Sequence, residues 1–264
     1  MTLWARFRTR EGREGFGQLT EGEIHEHAGD LFTTAEPTRM QVALHDVTLL
    51  APCRPTKIIA LWNNFYALAA KLGKAIPAHP LFLLKPASSV IGPDEPIHRP
   101  RSYQGKVAYE GELGIVIGRQ CKDLTVEQAH AAIFGYTCVN DVTAAQVLNE
   151  NADFTQWCRA KGYDTFGAIG PVISSDVDVS SAHVTTRLDG VERQNYPLSD
   201  MICPPEQLVS CLSQDMTLYP GDVIACGTSL GVGSVPDGST VEVSIEGIGT
   251  LRNRLGAQQG APDS

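Results

Sequence analysis

The sequence predicts a mixed α/β fold that is mainly β, with a small N-terminal domain in front of the main one. Short apolar runs typical of strands recur along the chain, whereas only a few segments carry helical periodicity. Strand-like and helix-like segments do not alternate regularly, which argues against a doubly wound fold. With 264 residues, of which 42% are hydrophobic and 19% charged, the chain is long enough to bury a substantial core.

The N-terminal domain is expected to span residues 1–52, because short strand-like runs and turns continue up to the Ala51-Pro52 pair. The main domain then covers residues 53–257. Residues 258–264 are expected to form a flexible tail.

The main domain opens with an apolar run at residues 57–62 that predicts a buried strand. Apolar residues then recur at helical spacing over residues 65–72 and stop at Gly73, a typical helix end. Residues 74–80 contain two prolines and therefore predict a loop.

Strands dominate the rest of the chain, and three helices interrupt them. The strands are predicted at residues 81–84, 113–117, 172–173, 184–188, 223–225 and 241–245. The first helix begins at a capping box of Thr125 and Gln128 and is expected to run to about Phe134. The other two are expected at residues 142–149 and after Pro204-Pro205.

Charge and cysteine usage exclude several classes of protein. The formal net charge of −9 and the lack of a basic run argue against nucleic acid as a partner. An acidic chain can still bind an anionic small molecule, because a bound cation reverses the local field. The seven cysteines are scattered without a C-x-x-C motif, which predicts reduced, mostly buried thiols. Residues 1–20 lack an apolar signal segment and no run reaches membrane-spanning length, so we expect a cytoplasmic protein without a membrane partner.

Two glutamates enter an otherwise apolar strand at residues 109–117, which read YEGELGIVI. Strand alternation places Glu110 and Glu112 on one face, opposite Leu113 and Ile115. Such charges are costly to bury unpaired, so they need solvent, a basic partner or a cation. A strand end exposed to water is the plain alternative.

Asp141 adds a third carboxylate at the end of a second strand-like run, residues 134–141. By itself, an Asn-Asp pair before a helix is more often a cap than a metal ligand. Three carboxylates from two strands, however, resemble the site of a hard cation such as Mg²⁺, which keeps positions for water and substrate oxygens.

The order of several further motifs resembles the fumarylacetoacetate hydrolase family over most of the chain. Besides the three carboxylates, the matching segments are residues 82–86 (FLLKP), 135–137 (GYT), Trp157, 161–166 (KGYDTF), 170–171 (GP), 218–222 (LYPGD), 226–228 (CGT), 231–233 (GVG) and 246–251 (EGIGTL). Each segment is weak alone, but their order and combination are specific. The resemblance implies a β-rich roll or sandwich, usually a homodimer, that acts on a small-molecule 2-oxo acid.

The resemblance also implies which residues hold a metal. Mg²⁺ or Mn²⁺ would be bound by Glu110, Glu112 and Asp141, and the substrate would chelate that metal through its oxo oxygen and carboxylate. A cation in that position is a suitable Lewis acid for an enolate.

Other family positions are matched by polar residues. Lys161 would direct its ammonium at developing negative charge as a catalytic residue, and Gln146 would face the same pocket. Thr228 and Gly227 match contacts to the substrate carboxylate, and Lys85 matches a supporting lysine. A surface lysine and a plain loop threonine are the corresponding structural alternatives.

The segment that matches the family's lid, residues 64–80, departs from the pattern of hydrolytic members. Those members carry a histidine and a glutamate that activate water, whereas this sequence has Leu68 and Lys71 at those positions. General-base help of roughly 10²–10⁴-fold would be missing unless another residue, such as His79, provides it. Ala145-Gln146 also stands where the family often has Arg-Asp, so a usual cation on the substrate side is lost.

We therefore expect a metal-dependent enzyme of oxo-acid catabolism, of the kind that degrades aromatic compounds. It would cleave a carbon–carbon bond of an acylpyruvate-like 2-oxo acid by hydrolysis or decarboxylation. An enol–keto isomerase of an unsaturated 2-oxo-diacid is the close alternative, since it needs only a polarised oxo group and a proton shuttle. A member that binds its ligand without turnover is the third.

Overall fold

The structure is a computed structural model that describes residues 2–256. The tail expected at residues 258–264 lies outside the described residues. Within the described range the strands are β1 Leu3–Thr9, β2 Glu14–Thr20, β3 Glu23–Ala28, β4 Glu36–Ala43, β5 Val47–Leu50, β6 Lys57–Trp62, β7 Leu81–Pro86, β8 Val90–Ile91, β9 Val107–Tyr109, β10 Gly111–Ile117, β11 Ile133–Asp141, β12 Thr143–Ala144, β13 Gly167–Ser174, β14 His183–Leu188, β15 Val191–Pro197, β16 Val223–Ala225, β17 Gly233–Ser234, β18 Thr240–Ile245 and β19 Gly249–Arg254. The α-helices are α1 Tyr66–Leu72, α2 Val126–Ala129, α3 Trp157–Lys161 and α4 Pro205–Asp215. The prediction of a mainly β fold is confirmed.

The largest sheet runs in the order β4-β3-β2-β1-β13-β11-β10-β16-β6-β7, with β5 against β1 and β8 against β13. The first strands of the chain join it because β1 pairs antiparallel with β13, with Leu3 opposite Ser174 and Trp4 opposite Ile173. The predicted N-terminal domain therefore shares a sheet with the strands that follow it.

A second, four-stranded sheet, in the order β15-β14-β18-β19, lies against β10, β11 and β13 of the large sheet. Apolar side chains from both sheets fill one core, including Leu113, Ile115, Val184, Val243 and Leu251. Every residue of β10 is buried, because the strand is covered on both faces. Any charged side chain on β10 must therefore find its partners inside the protein.

Two of the four predicted helices after residue 57 agree closely with the structure. The helix of the lid segment is α1, and it ends at Gly73 in the left-handed conformation (φ +61°), which glycine adopts at little cost. Residues 74–80 follow without helix or strand, as expected for a loop. The helix predicted after Pro204 is α4. Its first residue is Pro205, and a proline is tolerated there because the N–H of the first helical residue has no hydrogen-bond partner within the helix.

The other helix predictions need correction. The capping box of Thr125 and Gln128 is present, but α2 ends at Ala129 and a 3₁₀ turn leads into β11, so the extension to Phe134 is wrong. No α-helix forms at residues 142–149 either; β12 pairs there with β9, and only a 3₁₀ turn follows at Val147–Asn149. Pairing with β9 outweighs local helix propensity at this place. The short helix α3 was not predicted.

The cysteines are free and mostly buried, as the sequence predicted. All seven cysteines are free, and five of them are buried: Cys53, Cys121, Cys138, Cys203 and Cys226. Burial raises the pKa of the Cys53 thiol to about 12, which keeps it protonated. No helix within residues 2–256 is long and apolar enough to cross a membrane.

Candidate metal centre

The carboxylates of Glu110, Glu112 and Asp141 meet at one place, each offering an oxygen within 4.8 Å of the others. The pairing of β10 with β11 creates this meeting point, because Gly111 stands opposite Asn140 and Glu112 opposite Val139. The Asp141 N–H also donates to the Glu110 carbonyl oxygen at 2.9 Å. Residues far apart in the chain thus become neighbours through strand register.

The centre is largely shielded from solvent. Glu112 and Asp141 are fully buried, and the Glu110 side chain is 17% exposed. The alternative of a strand end in water is therefore wrong for Glu112. Three acidic groups this close repel one another in a medium of low polarity, so they need opposite charge nearby.

Two buried lysines provide part of that charge. Lys161, from α3, donates to Glu110 Oε2 at 3.0 Å and to Asp141 Oδ2. Lys85, from β7, donates to Asp141 Oδ1 and, at 3.3 Å, to the Val142 carbonyl oxygen. The surface alternative for Lys161 is wrong, since its side chain is 4% exposed. Counted as formal charges, three carboxylates and two ammonium groups give one negative charge in excess.

The pKa values of these groups follow from burial and from their charged neighbours. Burial, reinforced by the negative charge of Asp141, raises the pKa of Glu112 well above its ordinary value. Burial would also raise the pKa of Asp141, but the ammonium groups of Lys161 and Lys85 outweigh it and lower that pKa. Burial opposes the charged form of Lys161, yet Asp141 and Glu110 raise its pKa. For Lys85, burial prevails over Asp141 and lowers the pKa.

Glu112 has a carboxylate oxygen that lacks a hydrogen-bond partner among the described residues. Its Oε2 accepts the backbone N–H of Gly227 at 2.8 Å. Its Oε1 is buried and has no hydrogen-bond partner among the described residues. Three neighbouring carboxylates, one of them with a buried oxygen that has no hydrogen-bond partner among the described residues, form the kind of donor set that a hard divalent cation takes. The residues present therefore fit Mg²⁺ or Mn²⁺.

The Gly227-Thr228 loop lies against the same strand. Gly227 has φ +90°, and its N–H does approach an anion, which is the Glu112 carboxylate. The Thr228 hydroxyl donates to the Gly111 carbonyl oxygen at 3.0 Å and accepts from Gln194 Nε2 at 2.9 Å. Contacts of Gly227, Thr228 and Lys85 with a substrate stay predictions.

Gln146 has its described contacts outside the carboxylate centre. It is exposed, and its Oε1 accepts from Tyr103 Oη and from the Lys106 N–H, the latter at 2.7 Å. The Tyr103 hydroxyl oxygen also lies 2.7 Å from the Lys106 carbonyl oxygen. Gln146 thereby binds the loop of residues 103–106, which precedes β9. Its predicted catalytic role stays a prediction.

The lid segment has neither a histidine nor a glutamate at the two departing positions. Leu68 is half-buried and packs on the core, and Lys71 is exposed in the last turn of α1. The start of α1 is held by Asp200, whose Oδ2 accepts the Ala67 N–H at 3.0 Å. His79 lines a cavity of about 70 Å³ beside Asn64.

Sequence reasoning missed Thr143, which contacts Glu110, and also Gln194 and Tyr196, which contact the backbone of Gly111 between the two glutamates. The Thr143 hydroxyl donates to Glu110 Oε1 at 2.7 Å. Gln194 and Tyr196 reach Gly111 from β15. Their i, i+2 spacing marks one face of a strand, but that spacing alone does not say which strand the face meets.

A β-rich fold with three sheets in the described residues, and with a group of three carboxylates that could hold a cation, describes the class of this protein. A sequence profile described as fumarylacetoacetate (FAA) hydrolase C-terminal matches residues 57–256. A second profile, described as Rv2993c-like, N-terminal, matches residues 3–52. The chain belongs to the fumarylacetoacetate hydrolase family, as the sequence motifs predicted.

Two curated relatives cover most of the chain. Protein Rv2993c of Mycobacterium tuberculosis is 41% identical over 248 residues, which is 93% of this chain and 91% of that protein. Oxaloacetate tautomerase YisK of Bacillus subtilis is 35% identical over 228 residues, or 81% of this chain and 75% of the relative.

Solved structures share the whole fold. The 2-hydroxyhepta-2,4-diene-1,7-dioate isomerase of Mycobacterium marinum superposes with a TM-score of 0.89 at 37% identity, covering 99% of this chain and 100% of that one. Maleylpyruvate hydrolase of Sphingobium sp. SYK-6, in complex with manganese (II) ion and pyruvate, superposes with a TM-score of 0.77 at 27% identity, covering 98% and 100%. The family thus includes isomerases, tautomerases and hydrolases of small molecules.

Proposed function

We propose that this protein is a Mg²⁺- or Mn²⁺-dependent enzyme that interconverts the enol and keto forms of a small 2-oxo acid. The observation that carries the proposal is the buried group of Glu110, Glu112 and Asp141, with Lys161 hydrogen-bonded to two of them. When bound there, a divalent cation would supply a Lewis acid for the oxo group and carboxylate of the substrate.

Lys161 is the residue placed to move protons. Its Nζ lies inside the centre, 3.0 Å from Glu110 Oε2. Because the neighbouring carboxylates overcome burial and raise the pKa of Lys161, its resting form is the ammonium. Ketonisation would move one proton from Nζ to the substrate carbon and one from the enol hydroxyl back to Nζ, so that Lys161 ends in the form in which it began.

The names of the relatives include a tautomerase and an isomerase, but two Burkholderia proteins at 36% and 38% identity carry the word hydrolase in their names, so the choice of reaction rests on the site and the lid. The relative named as an oxaloacetate tautomerase is 35% identical and the structure named as a dienoate isomerase is 37% identical. The structure named as a maleylpyruvate hydrolase is 27% identical. Substrates of the oxaloacetate type and unsaturated 2-oxo-diacids are therefore the first candidates.

The lid disfavours hydrolysis, which was the first of the reactions expected from sequence. Hydrolysis needs water to attack the distal carbonyl group, and Leu68 and Lys71 replace the histidine and glutamate that would activate that water. Decarboxylation stays as the second candidate, because it too moves electrons into the oxo group without an incoming nucleophile. The same lid residues that disfavour hydrolysis leave decarboxylation possible.

The test is a substrate screen with Mg²⁺ or Mn²⁺, using oxaloacetate, unsaturated 2-oxo-diacids and acylpyruvates. Enol–keto absorbance, substrate loss and CO₂ release are followed in parallel, with chelator and Glu112→Gln as controls. We expect metal-dependent enol–keto exchange faster than substrate loss. Rapid cleavage of an acylpyruvate would overturn the proposal, and tight substrate binding with no reaction would identify a member without turnover.

A further inference from the structure

Gly111, the residue between the two glutamates, is held at both of its backbone groups by the second sheet and the loop beside it. Its N–H donates to Gln194 Oε1 at 3.0 Å. Its carbonyl oxygen accepts from Tyr196 Oη at 2.6 Å and from Thr228 Oγ1 at 3.0 Å. The backbone between Glu110 and Glu112 is therefore held by side chains, in addition to the hydrogen bonds between neighbouring strands.

Gln194 makes the widest set of these contacts. It is 1% exposed, and its amide nitrogen donates to Thr228 Oγ1 at 2.9 Å and to the Leu230 carbonyl oxygen at 3.3 Å. Its amide oxygen must accept from Gly111 and its nitrogen must donate to Leu230, so only one orientation of the amide satisfies both. One buried side chain thus links the glutamate segment to the Gly227-Thr228 loop.

The two sheets approach closely at this point. A Cβ on Gly111 would lie 2.0 Å from Thr186 Oγ1, a distance that no side chain tolerates. Glycine lets β14 and β15 come near enough for Gln194 to reach the backbone. The two glutamates consequently lie on either side of Gly111, where the two sheets pack tightly against each other.

We propose that Gln194 is a positioning residue that holds the Glu110-Gly111-Glu112 segment and Thr228 in the geometry required for cation binding. It touches neither the carboxylates nor a substrate; it acts through the backbone of Gly111 and the hydroxyl of Thr228. The inference rests on the proposed function for the identity of the ligand. Carboxylates this close repel one another before a cation arrives, so a fixed backbone is what keeps them together.

The test is Gln194→Met, which keeps the length and volume of the side chain but removes every hydrogen bond. Mn²⁺ affinity is measured by titration with EPR detection, without substrate. We expect an affinity roughly 10- to 100-fold weaker than in the wild type, the range for partners behind the metal ligands. Hydrogen exchange of the Gly111 amide, followed by NMR in the metal-free protein, should become faster.

A matched control separates positioning from general destabilisation. Asn253 is also a buried amide, 2% exposed, and donates to the carbonyl oxygens of Gly92 and Glu95 at 2.8 and 2.9 Å. Asn253→Leu should lower the unfolding temperature but leave Mn²⁺ affinity and Gly111 exchange unchanged. Gln194→Glu keeps the acceptor for Gly111 but loses the amide donor to Thr228 and Leu230, so its affinity should lie between those of Gln194→Met and the wild type; it serves if Gln194→Met does not fold.

The outcomes distinguish this inference from the proposed function. A wild-type protein that binds no Mn²⁺ would overturn both. A wild-type protein that binds Mn²⁺ with the same affinity as Gln194→Met would overturn the positioning role alone. Equal losses in Gln194→Met and Asn253→Leu would also overturn it, because stability would then explain the effect.

Discussion

Glu112 accepts the backbone N–H of Gly227 through one carboxylate oxygen, at 2.8 Å, while its other oxygen is buried without a partner among the described residues. The strand and the loop are thus joined through a group that is only half satisfied. A buried carboxylate with one unpaired oxygen destabilises the folded protein when no ligand is bound, and it stabilises the complex when a cation binds to it. Glu112 therefore couples the stability of the protein to cation binding.

The first prediction concerns this coupling. Glu112→Gln should stabilise the metal-free protein by about 1 kcal/mol or more, because it removes a buried charge that lacks full compensation. The same change should abolish the stabilisation that Mg²⁺ or Mn²⁺ gives the wild type. Thermal unfolding with chelator and with metal measures both effects. A variant that is destabilised without metal and still stabilised by it would contradict the prediction.

The second prediction is a dependence of stability on pH. Burial, with the charge of Asp141, raises the pKa of Glu112 in the folded state, so its contribution is present at low pH and lost as the pH rises through that raised pKa. Urea unfolding of the metal-free protein should show stability falling as pH rises above the ordinary range of a glutamate. Glu112→Gln should flatten this fall, and equal slopes in both proteins would count against it. The lowered pKa of Asp141 acts at lower pH, where stability is lost as the pH falls.

Sequence alone could predict the three carboxylates because spacing and alternation are local properties. It could predict neither Gln194 nor Tyr196 as neighbours of Gly111, because their contact depends on how the second sheet packs on β10. The helix expected at residues 142–149 failed for a related reason: Thr143 pairs with Ala108 of β9 and hydrogen-bonds to Glu110. Long-range pairing decided what local propensity could not.

The third prediction assigns chemistry to Lys161. Lys161→Met should lower turnover by roughly 10²–10⁴-fold, the usual contribution of a positioned acid or base. Metal affinity should be retained or increased, since the change removes a positive charge 3.0 Å from Glu110. Steady-state rates and Mn²⁺ titration measure the two quantities. Lys122→Met is the control, because that exposed lysine donates to the Gln214 carbonyl oxygen; unchanged turnover in Lys161→Met would remove Lys161 from the mechanism.

The fourth prediction concerns assembly. The family resemblance leads us to expect a homodimer in solution. Sedimentation equilibrium at micromolar concentration should give about twice the chain mass of 28.5 kDa. A single monomeric species under those conditions would contradict the expectation.

The last prediction concerns the lid, where Leu68 and Lys71 lie three residues apart on α1 and therefore on neighbouring parts of its surface. Leu68→His together with Lys71→Glu should raise acylpyruvate hydrolysis by roughly 10²-fold or more, because the pair restores a general base and its orienting carboxylate. The changes must be made together, since a lone histidine lacks the partner that fixes its tautomer. Enol–keto exchange should change little, because it needs no attacking water.

His79→Ala provides the control for this experiment, since His79 is the natural histidine within residues 64–80. We expect slow hydrolysis in the wild type and no further loss in His79→Ala. Leu68 is half-buried against the core, so the unfolding temperature of the double variant must be measured beside its rates. A wild type that hydrolyses acylpyruvates quickly, with a rate unaffected by either set of changes, would show that a residue outside the lid activates water.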